Sequence, residues 1–323
     1  MTETAIAPPA PPADAVPDPG RSWGRRVVRL ATQRRAAVVG LVLLTTIVAI
    51  ALAAPLLAPL GGEHQVGPPF GAPSAAHPLG LSDQGVDMVA AMIWATRVSL
   101  LVGFSAALIS VLVGGVVGIA AGYFGGWVDL VLTLVTDYFI VIPALPLLIV
   151  ISAVWGASLL HVVLIIGLLI WTTTARVVRA QVTTLRERTF VRRARALGAG
   201  RMHVIVRHVL PHVAPLLVAN AVLAVASAIF AETALSFLGL GDPTQASLGR
   251  LIEQAYDRAA VSAGAWWAIL TPGAAVALIV LSASLIGLAL EESLNPRQSH
   301  VPFLFRLVPP RRTPAARTRR GRP

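Results

Sequence analysis

The chain has 323 residues, 56% of them hydrophobic and only 13% charged, where an average soluble domain carries roughly 25% charged residues. With a mean hydropathy of +0.75 it is solvated mainly by lipid, which excludes a pair of soluble domains. Lysine and cysteine are both absent: the net charge of +11 rests on arginine alone, without the spread of a nucleic-acid-binding face, and disulfides, thiolate catalysis and sulfur-ligated metals are excluded together.

Residues 1–20, rich in proline and alanine without apolar periodicity, cannot bury enough surface to offset ordering entropy and are expected to form a disordered tail. A basic segment, 21–35, follows, with arginines at 21, 25, 26, 29, 34 and 35. Residues 36–60 carry no charge and are long enough to cross a hydrocarbon core of about 30 Å. The apolar core of a signal peptide is usually about 7–15 residues and lies nearer the N-terminus, so an uncleaved anchor is expected. Further spans are expected at 98–122, 129–154, 158–175, 213–238 and 266–289. Of these, 158–175 is the weakest, being short and opening near His161. The reading is an all-α polytopic membrane protein with six spans in 36–297 and a basic tail at 298–323.

Arginine placement sets the orientation. Six arginines precede the first span, nine lie in the 176–212 connection and eight follow residue 290, against one in 61–97 and two in 241–265. Six spans put the three rich segments on one side, the positive-inside pattern, with both termini and the 176–212 connection in the cytoplasm.

Gly114, Gly118, Gly122 and Gly126 recur every four residues, three consecutive small-xxx-small steps on one helix face. Lipid offers little hydrophobic drive between helices, so close backbone approach is a main route to association. Packing within the chain is favoured here over a subunit interface. Pro143 and Pro146 each remove a backbone donor, so the third span should kink or open near mid-membrane. Asp137 in the third span and Glu232 in the fifth are costly to place, since a charge at a helix centre costs about 2.5–3.5 kcal/mol on insertion scales. Asp137 either pairs with an arginine of a neighbouring helix, slightly the stronger reading, or caps a water-filled vestibule. No matching histidine or arginine lies inside another predicted span, so neither carboxylate makes a proton relay on its own.

"FVRRARALGAGRMHVIVRHVLPH", residues 190–212, packs five arginines and three histidines between two apolar runs. "TTLRERTFVRRARALG" reads as a helix opened by a threonine cap and ended by Gly198 in the left-handed conformation. Val191, Ala194 and Leu197 share one face, while Arg192, Arg193 and Arg195 point elsewhere. A second short helix carries Met202, Ile205 and Val209 as an apolar stripe closed by Leu210-Pro211. The pair either protrudes into the cytosol or lies on the membrane with its arginines on anionic headgroups. His203, His208 and His212 have no carboxylate cluster nearby, so no metal site is expected.

Continued to "VAPLL", this stretch is similar to the coupling loop of the membrane subunits of binding-protein-dependent ABC importers. Ala194, Gly198, Leu210 and Pro211 match that pattern, and Arg192 and Arg193 stand where it has Glu-Ala. "HPLGLSDQGVD…ATRVSLLVG" keeps His77, Pro78, Gly80, Gly85, Asp87, Arg97 and Ser99 of the dipeptide/oligopeptide branch, though not its Thr-Asp after the Gly nor its Arg before the Asp. "AGYFGGWVD", "AETALSFLGLG", "WWAILTPG" and "EESLNPR" resemble later segments of that branch's C-type permease, and the likeness covers about 25–297.

The resemblance implies the type I importer permease fold, with Val191, Arg192, Arg193, Ala194, Gly198, Leu210 and Pro211 forming the contact to an ATPase. Gly198 would permit the turn between the two helices and Pro211 would fix re-entry into span five. The implied partners are a second homologous permease, two cytoplasmic ABC ATPase subunits that hold ATP and Mg, an extracytoplasmic solute-binding protein and membrane lipid, in a bacterial cytoplasmic membrane. No cofactor of the chain's own and no nucleic acid are implied. Peptides lead as substrates, with nickel chelates and other small solutes open, and the pathway candidates are Asp137, Pro143, Glu232 and Ser236. Independently of the resemblance, a P-loop needs a lysine, so the chain carries no ATP-hydrolysing module of that kind. Two other classes stay in view. An ion-coupled secondary transporter needs coupled intramembrane ionisable residues, and only Asp137 and Glu232 are visible. A membrane enzyme needs a base beside Ser110, Ser236 or the serines of span six, and no histidine or lysine is near any of them in sequence.

Overall fold

The computed structural model describes residues 35–156 and 158–294, so the tails expected at 1–20 and 298–323, and the basic segment apart from Arg35, lie outside the described residues. Among the described residues every regular element is a helix, with two isolated bridges, Gln65–Val86 and Leu81–Asp87, in the loop between the first two spans. In chain order these are α1 (Arg35–Leu52), α2 (Ala54–Leu57), α3 (Met88–Phe124), α4 (Gly126–Val141), α5 (Ala144–Trp155), α6 (Leu159–Arg186) and α7 (Thr189–Ala196). Then come α8 (Arg201–Val204), a π-helical segment (Ile205–Val209), α9 (Leu210–Phe237), α10 (Leu248–Asp257) and α11 (Trp267–Leu294). Five helices are long and apolar enough to cross a membrane; α4 and α5, bent by 88° at their break, make six if the pair is one span.

Local chemistry explains where these boundaries depart from the apolar runs. The uncharged run 36–60 is not one helix: α1 stops at Leu52, and α2 restarts with Pro55 in its first turn, where no N–H is available to bond back to Ala51. α3 begins at Met88 rather than 98 because Asp87 caps it, accepting from Val89 N at 2.8 Å and Ala90 N at 3.1 Å. The other Asp87 oxygen meets His77 Nδ1 at 2.6 Å. The intervening loop turns at Gly80 and Gly85, whose φ angles of +73° and +70° suit glycine. Trp267 Nε1 donates to Leu81 O at 3.2 Å and fastens this loop to the start of α11. The expected kink in the third span is a complete break: Ile142 and Pro143 are extended, and Pro146 falls in the first turn of α5.

α6 is the largest correction. Expected as a short span over 158–175, it is a helix of 28 residues opened by Ser158, whose hydroxyl accepts from His161 N at 3.3 Å. It runs on through Arg176 and Arg179 to Arg186, and its packing on α3 is the most extensive helix pairing among the described residues. α3 lies at the centre with α6 and α9 against it, α11 packs on α9, and α1 packs on α11. α4 and α5 are peripheral, burying only Thr136, Leu148 and Ser152. Large apolar side chains such as Val116, Leu134 and Val154 stand exposed along the spans, as a lipid-solvated surface requires.

Candidate functional site

The seam between α3 and α6 is built on glycine. A Cβ added at Gly114, Gly118 or Gly122 would lie 2.5 Å from Trp171 O, 2.6 Å from Ala175 O or 2.8 Å from Arg179 O, respectively. Only hydrogen fits there, so the two backbones touch, and the packing is within the chain. Gly126 does not belong to this row. It follows the break at Gly125, has φ +55°, and meets no atom within 4 Å, so it serves the turn instead.

Two ion pairs cross from α6 to α4 along this seam. Arg179 grips Asp129 with two nitrogens (Nη2–Oδ2 2.9 Å), and Asp129 also accepts from Thr133 Oγ1 at 3.1 Å. Arg176 Nη2 donates to Asp137 Oδ1 at 2.7 Å through a single contact, with both side chains more than half exposed (57% and 51%). The expectation that no arginine lies inside another span is therefore corrected: Arg176 and Arg179 belong to α6, and the α4 carboxylates offset the cost of carrying them there. Beside the pair opens a cavity of ≈ 270 Å³, walled by Val117, Gly118, Leu132 and Thr136.

Glu232 lies elsewhere. It is 2% exposed, its Oε2 accepting from Ser99 Oγ of α3 at 2.9 Å and its Oε1 from Ser236 Oγ, one turn on, at 2.8 Å. Ser99 Oγ in turn accepts from Leu248 N at 3.2 Å, and Ser247 caps the same helix by accepting from Arg250 N at 3.3 Å. One carboxylate thus joins α3, α9 and α10. Next to it, outside the spans, Asp242 accepts from Leu159 N at 2.9 Å, Thr244 N at 2.8 Å and Thr244 Oγ1 at 2.6 Å. Partial burial would raise its carboxyl, but these hydrogen bonds outweigh that and hold it below the usual carboxylate range.

The four pathway candidates therefore divide. Ser236 accompanies Glu232, while Asp137, with Pro143 six residues further on, sits at the other end of α3. Ser99 and Gly118, which mark the two places on α3, are nineteen residues apart, about 28 Å along a helix. Ser99 is among the residues kept by the resemblance, which gives it no role. Ser247 and Asp242 carried no signal, since α10 was not predicted. Arg176 and Arg179 did carry one, the i,i+3 spacing that puts two side chains on one helix face, but they were assigned to a loop.

The arginine-rich stretch folds differently from its expected pair of closed helices. Thr183 and Thr184 belong to α6, and α7 starts at Thr189 with Arg188 at its N-cap and no side-chain cap. Val191 is wholly buried among Tyr123, Val178, Val182, Val204 and Val209. Ala194 is half-buried, but Leu197 is 89% exposed, because Gly198 (φ +83°, as expected) turns the chain away directly after it. Met202 is 65% exposed as well; the π-helical segment changes the register after α8, so the inner stripe is Val204, Ile205 and Val209. Leu210-Pro211 does not close this helix. Pro211 has no N–H to donate, the π-helical segment stands directly before it, and the chain continues into α9. His212 stacks on Phe190 at 5.0 Å and its Nδ1 lies 2.7 Å from His208 O, so it has a packing role. Arg192 and Arg193 are exposed, whereas Arg195 lies over the Tyr123 ring at 4.7 Å.

Residues 114–300 match the family described as binding-protein-dependent transport system inner membrane component, and residues 22–68 match the N-terminal TM domain of oligopeptide transport permease C. The oligopeptide transport system permease protein OppC of Mycobacterium tuberculosis is 37% identical over 277 residues, 84% of this chain and 93% of that protein. A Brucella suis biovar 1 protein, provisionally named a peptide transport system permease, is 36% identical over 302 residues, 92% of this chain and 98% of that protein.

Proposed function

The chain belongs to the family of binding-protein-dependent transport system inner membrane components, and from that premise we propose that it forms half of the pathway of an ATP-driven peptide importer. Peptides are the cargo named for its relatives. A second homologous permease completes the pathway, and an extracytoplasmic solute-binding protein delivers to the face formed by the connections between α1 and α3 and between α9 and α11. Two cytoplasmic ATPase subunits hold ATP and Mg and hydrolyse the nucleotide. Residues 36–297 make up the membrane domain, with α4 and α5 counted as one of six spans and both termini in the cytoplasm.

The observation that carries this reading is the two-sided character of α7. Its inner side, at Val191, is buried in one cluster with residues of α6, α8 and the π-helical segment that runs on into α9, and its outer side presents Arg192, Arg193 and Leu197. A partner that grips the outer side moves two spans together. Ala194 sits between the two sides, Gly198 makes the turn, and Leu210 and Pro211 carry the chain on into α9. The two arginines in place of Glu-Ala suit an ATPase with an acidic groove. Glu232 and Ser236 join helices at the outward end of the pathway, and Asp137 and Pro143 line it toward the inner end.

Purification from native membranes in mild detergent, with mass spectrometry of what accompanies the chain, tests the reading. A second permease with one or two P-loop ATPases is the expected result. A chain that comes out alone, or as a homo-oligomer, under conditions that preserve known ABC complexes would overturn it in favour of ion-coupled transport.

A further inference from the structure

Of the two ion pairs on the α4–α6 seam, one has more freedom than helix packing requires. Arg179 and Asp129 hold each other with two contacts and are the more buried, at 38% and 28% exposure. Arg176 and Asp137 share one contact at 57% and 51% exposure, so most of the guanidinium and one carboxylate oxygen are open to another partner. Their depth follows from the helices. The Arg186 guanidinium lies over Gly125, since a Cβ at Gly125 would run into Arg186 Nη1; the end of α6 and the start of α4 therefore share a level. From that level Arg176 is ten residues back along α6 and Asp137 twelve along α4, about 15 Å and about 18 Å at 1.5 Å per residue. α6 is about 42 Å long, about 12 Å more than a hydrocarbon core of about 30 Å, so the pair lies in the part of the helix nearer its C-terminal end. Charges this exposed on a spanning helix face water or protein rather than acyl chains.

We propose that the Asp137–Arg176 pair is a binding station within the pathway for the charged ends of a short zwitterionic peptide, the peptide ammonium taking Asp137 and its carboxylate taking Arg176. The inference rests on the peptide-importer reading and adds to it a site and a chemical class. The exchange conserves ion pairs: the two side chains part, each takes the opposite charge from the peptide, and they re-pair on release. No charge is stranded in a low-dielectric passage, the outcome that makes single buried ions so costly. An extended dipeptide spans about 7 Å, and the adjoining ≈ 270 Å³ cavity is close to the smallest ligand sites, about 300 Å³. The binding protein selects the cargo; this station lets its charged ends through.

The test uses the whole complex in liposomes, with alanyl-alanine as cargo, reading peptide imported per ATP hydrolysed. The double variant Asp137→Asn with Arg176→Gln avoids leaving either charge alone. It is expected to assemble, to hydrolyse ATP in response to loaded binding protein, and to import at least about tenfold less peptide per ATP, since both charge-assisted contacts are reduced to neutral ones. For N-acetylated alanyl-alanine, which brings no ammonium, Asp137→Asn keeps the wild-type ratio; an equal loss for both peptides overturns the assignment of Asp137 to the amino end. An unchanged ratio for alanyl-alanine in the double variant makes the pair a passive strut, and loss of the second permease from that variant makes it a subunit contact. Either result overturns the station. A wild-type complex that hydrolyses ATP without importing the peptide overturns the importer reading, and the station with it.

Discussion

Replacing Gly118 by alanine tests the seam on which both ion pairs stand. The new methyl would lie 2.6 Å from Ala175 O and 2.8 Å from Val178 Cβ. Comfortable carbon contacts begin at about 3.5 Å, so α3 and α6 must part locally by about 1 Å. Both neighbours are held to backbone, Ala175 O directly and Val178 Cβ by one bond, so neither can swing aside. Inserting a methylene into a tight core costs typically 1–3 kcal/mol, and about 2 kcal/mol is expected here. Gly118 also walls the cavity beside Asp137 and Arg176, so import per ATP should fall along with stability. Gly273→Ala is the control: it lies in α11 with no atom within 4 Å of the added carbon, and alanine gains about 1 kcal/mol over glycine in a helix. Thermal melting of the purified chain in detergent should place Gly118→Ala clearly below wild type and Gly273→Ala at or above it. A Gly118→Ala chain that melts with the control would show that the helices are slack, and the reasoning from close backbone contact would fail.

Reversing both Arg192 and Arg193 to glutamate should leave melting unchanged, since both are exposed, while weakening ATPase retention at low salt by about tenfold or more. Unaltered assembly with coupled ATP hydrolysis would refute the acidic-groove partner. Glu232→Ala takes the acceptor from two buried hydroxyls, at about 1–3 kcal/mol for each group left unpaired. It should loosen α10 in hydrogen exchange, and Glu232→Gln, which keeps an acceptor oxygen, should do so less; equal effects would count against the hydrogen-bond account. Asp242 has a lowered carboxyl, so its stabilisation is complete above the unfolded value of about 4 and is lost as pH falls through the folded value. The melting gap between wild type and Asp242→Asn should therefore be open at pH 7 and narrow below pH 4, and a gap that widens on acidification would reverse the assignment.

Much of this architecture is legible in the sequence because lipid imposes simple rules. Long uncharged runs become helices, glycines four apart become a contact row, and Pro143 becomes a break. Legibility fails where a charge is answered by a residue distant in the chain. Arg176 and Arg179 look like the start of a loop until Asp137 and Asp129, some forty and fifty residues earlier, are placed beside them. Ser99 and Glu232, 133 positions apart, meet only because α3 and α9 cross. The arginine-rich stretch misleads for a subtler reason. A helical repeat puts Met202, Ile205 and Val209 on one face, but a π-helical segment, which no composition rule announces, changes the register and lets Pro211 stay inside a continuous helix.

That continuity has a mechanical consequence. Arg201–Phe237 passes as a single apolar helix of 37 residues, about 55 Å long, with the arginine-rich turn at one end and Glu232 near the other. It behaves as a lever: a tilt of about 10° about its midpoint carries each tip about 5 Å in opposite directions, the scale on which packed helices switch between arrangements. In the proposed importer, a push on α7 at Arg192 and Arg193 would reach the Glu232 end through this helix without any relay of side chains. The two ends of the passage would then open out of phase.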